Sequence, residues 1–233
     1  MRDHLGAAMG LAVALIAYNN LLNLWRPFQR FYVPINLCAA AGVIGLALGL
    51  LNLTVEELGL MGDTLSEAAR FALAGLIITG PLYVALLSPR WAKLIADRRL
   101  EDSSRLEMLY RIFIRIPIGT VLLEEVAFRG VLFVLLVEYG TLTAALISSV
   151  AFALWHVVPT LAAARVNRIL NGFGPWRAMT GGVLVTFGIG MILVWLRLQT
   201  GGLGAPFGIH AAVNSSAALA GFLALRKSGA GRI

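Results

Sequence analysis

Residues 120–137 read TVLLEEVAFRGVLFVLLV. Outside Glu124, Glu125 and Arg129 the run is almost wholly apolar. A helix needs about 20 such residues to cross the hydrocarbon layer, so this stretch reads as a membrane span. A charged side chain there costs from about 2.5 kcal/mol upward, and such residues face a protein interior or a wet cavity and do chemistry there. One segment thus points both to a membrane bundle and to a polar cluster kept inside it.

The rest of the chain agrees. Of 233 residues, 59% are hydrophobic and 13% charged, and mean hydropathy is +0.83. A soluble domain is about half apolar and a quarter charged, so the composition favours a polytopic membrane protein. The net charge of +7 raises nucleic acid as a partner. The basic residues are confined to loops between apolar runs, so the positive-inside effect explains the charge and no nucleic acid is expected. The single cysteine, Cys38, sits in an apolar run and reads as a buried packing thiol. The first apolar run lacks a small-residue cleavage site after it and reads as a span, not a removed signal.

The fold class expected is all-α: a polytopic transmembrane bundle of about seven spans plus a basic amphipathic cytoplasmic segment. The spans fall near 5–24, 34–53, 70–88, 113–137, 142–162, 179–198 and 204–225. Gly80-Pro81 predicts a kink in the third, and Pro117 predicts that the regular fourth helix begins there. Residues 89–111 mix Trp91, Leu94, Leu106 and Leu109 with charges and read as an amphipathic helix or helix pair on the cytoplasmic leaflet. The chain reads as one integral-membrane domain, 1–233, with a motif-bearing core near 113–225.

With seven spans, four basic regions fall on one side: Arg26 and Arg30; residues 90–111; Arg165, Arg168 and Arg177; and Arg226, Lys227 and Arg232. The opposite loops carry Glu56, Glu57, Asp63, Glu67 and Glu138. This places the basic side in the cytoplasm, the N-terminus outside and the C-terminus inside, with Arg2, Arg70 and Arg197 against it. The expected location is the bacterial plasma membrane.

Three patterns recur on separate helices: Glu124-Glu125-x-x-Phe128-Arg129-Gly130, Phe152-x-x-x-His156 and His210-x-x-x-Asn214. Glu125 and Arg129 are four apart, share a helix face and can pair. Glu124 is turned by about 100° and is free to point into a cavity. His210 and Asn214 also share a face, where an imidazole and an amide can serve as an oxyanion hole. Counting rises along the helices lets all three motifs reach one pocket below the cytoplasmic surface. Each has a plainer reading: His156 and Asn214 as interhelical hydrogen-bonders, Phe128 and Phe152 as packing, and the acidic pair with Arg129 as a structural network or proton relay. Asn19, Asn20, Asn23, Asn36 and Asn52 read as interhelical or interfacial glue.

The ordered trio resembles the CPBP intramembrane proteases, which include the type II CAAX prenyl endopeptidases and bacterial Abi proteins. The resemblance spans residues 118–218. It implies a glutamate-type peptidase in which Glu124 and His156 activate water, His210 and Asn214 stabilise the oxyanion, and Glu125 and Arg129 give support.

Peptide hydrolysis needs an activated water, donors for the oxyanion and a proton for the leaving amine, and these residue types supply all three. Ser148, Ser149, Ser215 and Ser216 fit helix packing better than nucleophilic roles. No cofactor is expected to be required. The alternative is zinc on Glu124, His156 and His210, since two His and one Glu form a catalytic zinc set in other folds. The expected partners are the bilayer and a membrane-associated or lipidated peptide or protein substrate. The alternative functions are a non-enzymatic binding or immunity partner using the same cavity, and a small transporter, which ordinarily carries an internal repeat that this chain lacks.

Overall fold

A computed structural model describes residues 4–24, 26–167 and 174–227. Arg2, Arg168 and Arg232 lie outside the described residues. Every regular element described is helical, with no strand among the described residues. We name the long helices α1 (His4–Leu24), α2 (Tyr32–Gly49), α3 (Thr64–Leu86), α4 (the continuous helical run 105–137), α5 (Thr141–Trp155), α6 (Val157–Val166), α7 (Gly174–Thr200) and α8 (Gly204–Lys227). Among the described residues, six stretches are long and apolar enough to cross a membrane, α5 and α6 counting as one; α4 brings the number to about seven. The chain is an integral membrane protein.

Close packing in such a bundle comes from small residues, because lipid removes the hydrophobic drive between helices. The tightest example is α3 against α8. A Cβ added at Gly208 would collide with the backbone carbonyl of Ala68, and Gly75 lies against Ala212. Gly204, Gly208 and Ala212 share one stripe of α8, on the α3 side. His210 and Asn214 are turned about 200° from Gly208 and Ala212, so the same packing aims them away from α3.

Pro81 lies inside α3, which continues past it. Pro117 does not start the regular helix. α4 begins at Arg105, held by a capping box between Ser104 and Glu107. It then runs through wide π-type turns at Arg111–Arg115, Pro117–Val121 and Glu125–Leu132. Proline lacks an N–H and crowds the carbonyl four residues back, and a wide turn relieves both. The carbonyl of Gly119 then accepts from the side-chain amide of Asn36 on α2 at 2.6 Å.

The basic segment before α4 is not one regular helix. It holds a single turn, Ala92–Ile95, a 3₁₀ turn, Arg98–Leu100, and then α4. Asp97 and Asn167 interrupt it: the Asn167 carbonyl oxygen accepts from the N–H of Arg98 at 2.9 Å, and its amide donates to Asp97 at 3.2 Å. Cys38 is exposed on the outer face of α2, so the reading as a buried thiol is wrong. An apolar run marks a span but not which face of it looks inward. Arg197, which ran against the charge pattern, is buried and donates to the carbonyls of Glu57 and Gly201, tying two turns together.

Candidate active site

The interior of α4 carries the charged cluster. Glu124, Glu125 and Arg129 are each at most 2% exposed. The Glu125–Arg129 pair closes at 3.2 Å between Oε1 and Nη1. The same Oε1 lies 2.7 Å from Nδ1 of His210, which reaches in from α8. Glu125 thus accepts from two neighbours and fixes the His210 ring.

Glu124 faces the other way and gathers three side chains. Its Oε1 accepts from the indole N–H of Trp155 at 2.9 Å and lies 3.7 Å from Nε2 of His156. Its Oε2 lies 3.6 Å from Nε2 of His210 and has no hydrogen-bond partner, although fully buried. Both imidazole separations exceed a direct hydrogen bond. An unpaired carboxylate oxygen in an interior is costly unless something polar reaches it, so this oxygen marks where a water or substrate group is wanted.

The tautomers follow from the other ring nitrogens. Nδ1 of His156 is 2.8 Å from the carbonyl of Phe152, which can only accept. Nδ1 therefore carries the proton, and Nε2 of a neutral His156 presents its lone pair toward Glu124. The same logic applies to His210, whose Nδ1 proton goes to Glu125. Phe152 packs against both rings, edge-on to His156 at 4.6 Å and to His210 at 5.9 Å, with the Arg129 guanidinium over its face at 3.9 Å.

Five of the six residues singled out in the sequence are brought together: Glu124, Glu125, Arg129, His156 and His210. Asn214 lies one turn beyond His210, half-buried, and its side chain makes no hydrogen bond among the described residues. One contributor carried no role in the sequence reading: Trp155 touches Glu124 directly. Phe152, read there as packing, does pack edge-on to both imidazoles. The signal for Trp155 was available: an indole N–H next to His156 in an apolar helix needs an acceptor when buried.

His210 is six residues into α8, about 9 Å from its acidic end, and Glu124 is nine residues past Arg115, at most about 14 Å from the basic end of its span. The cluster sits near the middle of the bundle, below the basic face.

Zinc bonds of 2.0–2.2 Å would place tetrahedral donors about 3.4 Å apart. Nε2 of His156 and Nε2 of His210 lie 3.7 and 3.6 Å from different oxygens of Glu124, and Trp155 already engages the one nearer His156. Among the described residues, no three His, Cys, Asp or Glu side chains form a group that could hold an ion.

Residues 106–216 match the family described as type II CAAX prenyl endopeptidase Rce1-like. The match covers just under half of the chain and supports the CPBP/CAAX protease family. The matched region takes in all six motif residues and omits α1, α2 and α3. No curated protein and no solved structure matches the chain. What the CPBP match adds to the geometry is a class of chemistry, proteolysis, for a carboxylate and two imidazoles buried in a helical bundle.

Proposed function

We propose that this CPBP-family protein is an intramembrane endopeptidase that hydrolyses a peptide bond in a membrane-associated or lipidated protein or peptide. The observation that carries the reading is the buried Glu124 carboxylate, with one oxygen unpartnered and the Nε2 atoms of His156 and His210 at 3.7 and 3.6 Å.

In the proposed reaction a water lies between Glu124 and His156. Glu124 and the Nε2 lone pair of His156 are both acceptors, so together they orient the water and take its proton as its oxygen attacks the carbonyl carbon. The C–O bond forms, the carbonyl becomes an oxyanion, and the proton passes to the leaving amine as the C–N bond breaks. Asn214, whose side-chain amide has no partner among the described residues, supplies a neutral donor to the oxyanion. His210 donates from Nε2 only when it carries a second proton, because Nδ1 is committed to Glu125. Glu125 and Arg129 hold that ring in place.

We assign no metal to this chemistry. Chelation of the purified protein should leave cleavage unchanged; loss of activity that zinc restores would reverse the assignment. The location proposed is a bacterial plasma membrane, N-terminus outside and C-terminus in the cytoplasm, on the charge of the loops.

The test is cleavage in proteoliposomes, using internally quenched peptides with and without a prenylated CAAX terminus. Glu124→Gln keeps shape and most hydrogen bonds but removes the base. Cleavage by the unaltered protein and its absence in Glu124→Gln are expected. A Glu124→Gln protein that cleaves at the full rate would defeat the reading, and binding without cleavage in both would favour a non-enzymatic partner.

A further inference from the structure

We propose that Trp155 is the positioning residue for Glu124, and that it is held there by Asn19 of α1, a helix outside the family-matched region. The proposal deepens the peptidase reading and rests on it for its catalytic consequence.

The causal chain begins at Pro159 in α6. With no N–H, Pro159 cannot bond the carbonyl four residues back, which belongs to Trp155. The helix breaks there: α5 ends at Trp155, and His156 takes φ −88° and ψ 0° before α6 begins. The freed carbonyl is a buried acceptor and needs a donor. Asn19 supplies it, its amide donating to the Trp155 carbonyl at 2.7 Å from a position only 3% exposed. Asn23, one turn on, donates to the carbonyl oxygen of the Asn19 amide at 2.8 Å, which settles which way that amide points.

The indole is then confined on its sides. Tyr18 lies 6.3 Å from the Trp155 ring, and Phe128 meets it edge-on at 5.5 Å. Its N–H reaches Glu124 Oε1 at 2.9 Å. A buried N–H given to a carboxylate is a strong, directional bond that fixes the rotation of the acceptor. With Oε1 engaged, Oε2 is the oxygen left without a partner, and it faces Nε2 of His210. Trp155 therefore fixes the rotation of the Glu124 carboxylate that the reacting water meets, and it does so without touching substrate.

The experiment uses the full chain in detergent with ¹⁵N-labelled tryptophan. The chain has five tryptophans, and the indole resonance lost in Trp155→Phe is that of Trp155. Replacing the anionic acceptor by Glu124→Gln should move this resonance upfield, well beyond any movement of the other indoles, and Asn19→Leu should move it in the same sense. If Trp155→Phe fails to fold, Glu124→Gln still decides, because one of the five resonances must move far more than the rest. A spectrum in which no indole responds to Glu124→Gln overturns the contact. On the quenched peptides, Trp155→Phe should lower kcat by about tenfold or more, the size expected when a reacting group is misplaced. KM should stay within about twofold, since ground-state binding is untouched. An unchanged kcat, or a loss confined to KM, overturns the positioning role. If the unaltered protein cleaves nothing, the peptidase reading falls, while the indole shift still decides whether α1 and Trp155 hold Glu124.

Discussion

The side-chain amide of Asn36 on α2 donates to the carbonyl of Gly119 on α4 at 2.6 Å, and its own oxygen accepts from the hydroxyl of Tyr18 on α1 at 2.5 Å. One buried amide thus joins three helices five residues before Glu124. Asn36→Leu keeps the volume but strands a carbonyl and a hydroxyl. We expect a loss of about 1–3 kcal/mol for each group left unsatisfied in the interior. Denaturant or thermal unfolding in detergent measures it, and an unchanged midpoint would show that water replaces the amide.

The Glu125–Arg129 pair makes a sharper prediction. Arg129→Met leaves a buried carboxylate without its cation and should destabilise by about 3–5 kcal/mol. Glu125→Gln in the same chain removes the stranded charge and should recover a large part of that loss. The double-mutant cycle is read by unfolding in detergent. Strict additivity of the two single effects would mean that the pair contributes nothing as a pair.

Asn214 and His210 should separate function from stability. The Asn214 side-chain amide makes no hydrogen bond among the described residues, so Asn214→Ala is expected to leave the stability within about 0.5 kcal/mol. Loss of an oxyanion donor should lower kcat by about 10²–10³-fold. His210→Ala should lower both, because it also strips Glu125 of its 2.7 Å donor. Equal destabilisation by the two variants would contradict this division.

Outside the membrane, Asp97 gives a pH dependence. Burial alone would raise its carboxyl, but the Arg99 guanidinium at 2.7 Å and the Asn167 amide outweigh that and hold it below its ordinary 3.8. Its folded-state pKa is therefore depressed. The stability it adds is complete above the unfolded value and is lost as pH falls through the folded one. Hydrogen-exchange protection at the amides of Arg98 and Arg99 should fall in that acid window. Asp97→Asn should flatten the fall. Protection that declines equally in both proteins would place the acid-sensitive group elsewhere.

The spans were legible because a bilayer imposes a length. Apolar runs near 5–24, 179–198 and 204–225 reappear as α1, α7 and α8 with ends shifted by a few residues. The pairing of Glu125 with Arg129 was legible too, since four residues along a helix return to the same face. So were the three motifs, which are local strings. None of these needs knowledge of a distant contact.

What lay beyond the sequence is long-range. Pro159 announces that the Trp155 carbonyl is freed, but nothing in the string says that Asn19, 136 residues earlier, will fill it. The identical apolar character of every face of α2 hid that Asn36 looks inward and Cys38 outward. Nor does the string say that Gly204 and Gly208 seat against α3. The residue types and their helical faces belong to the chain alone; which buried donor meets which buried acceptor was decided by tertiary packing, because an unsatisfied polar group in an apolar interior has to find whatever partner the bundle brings within reach.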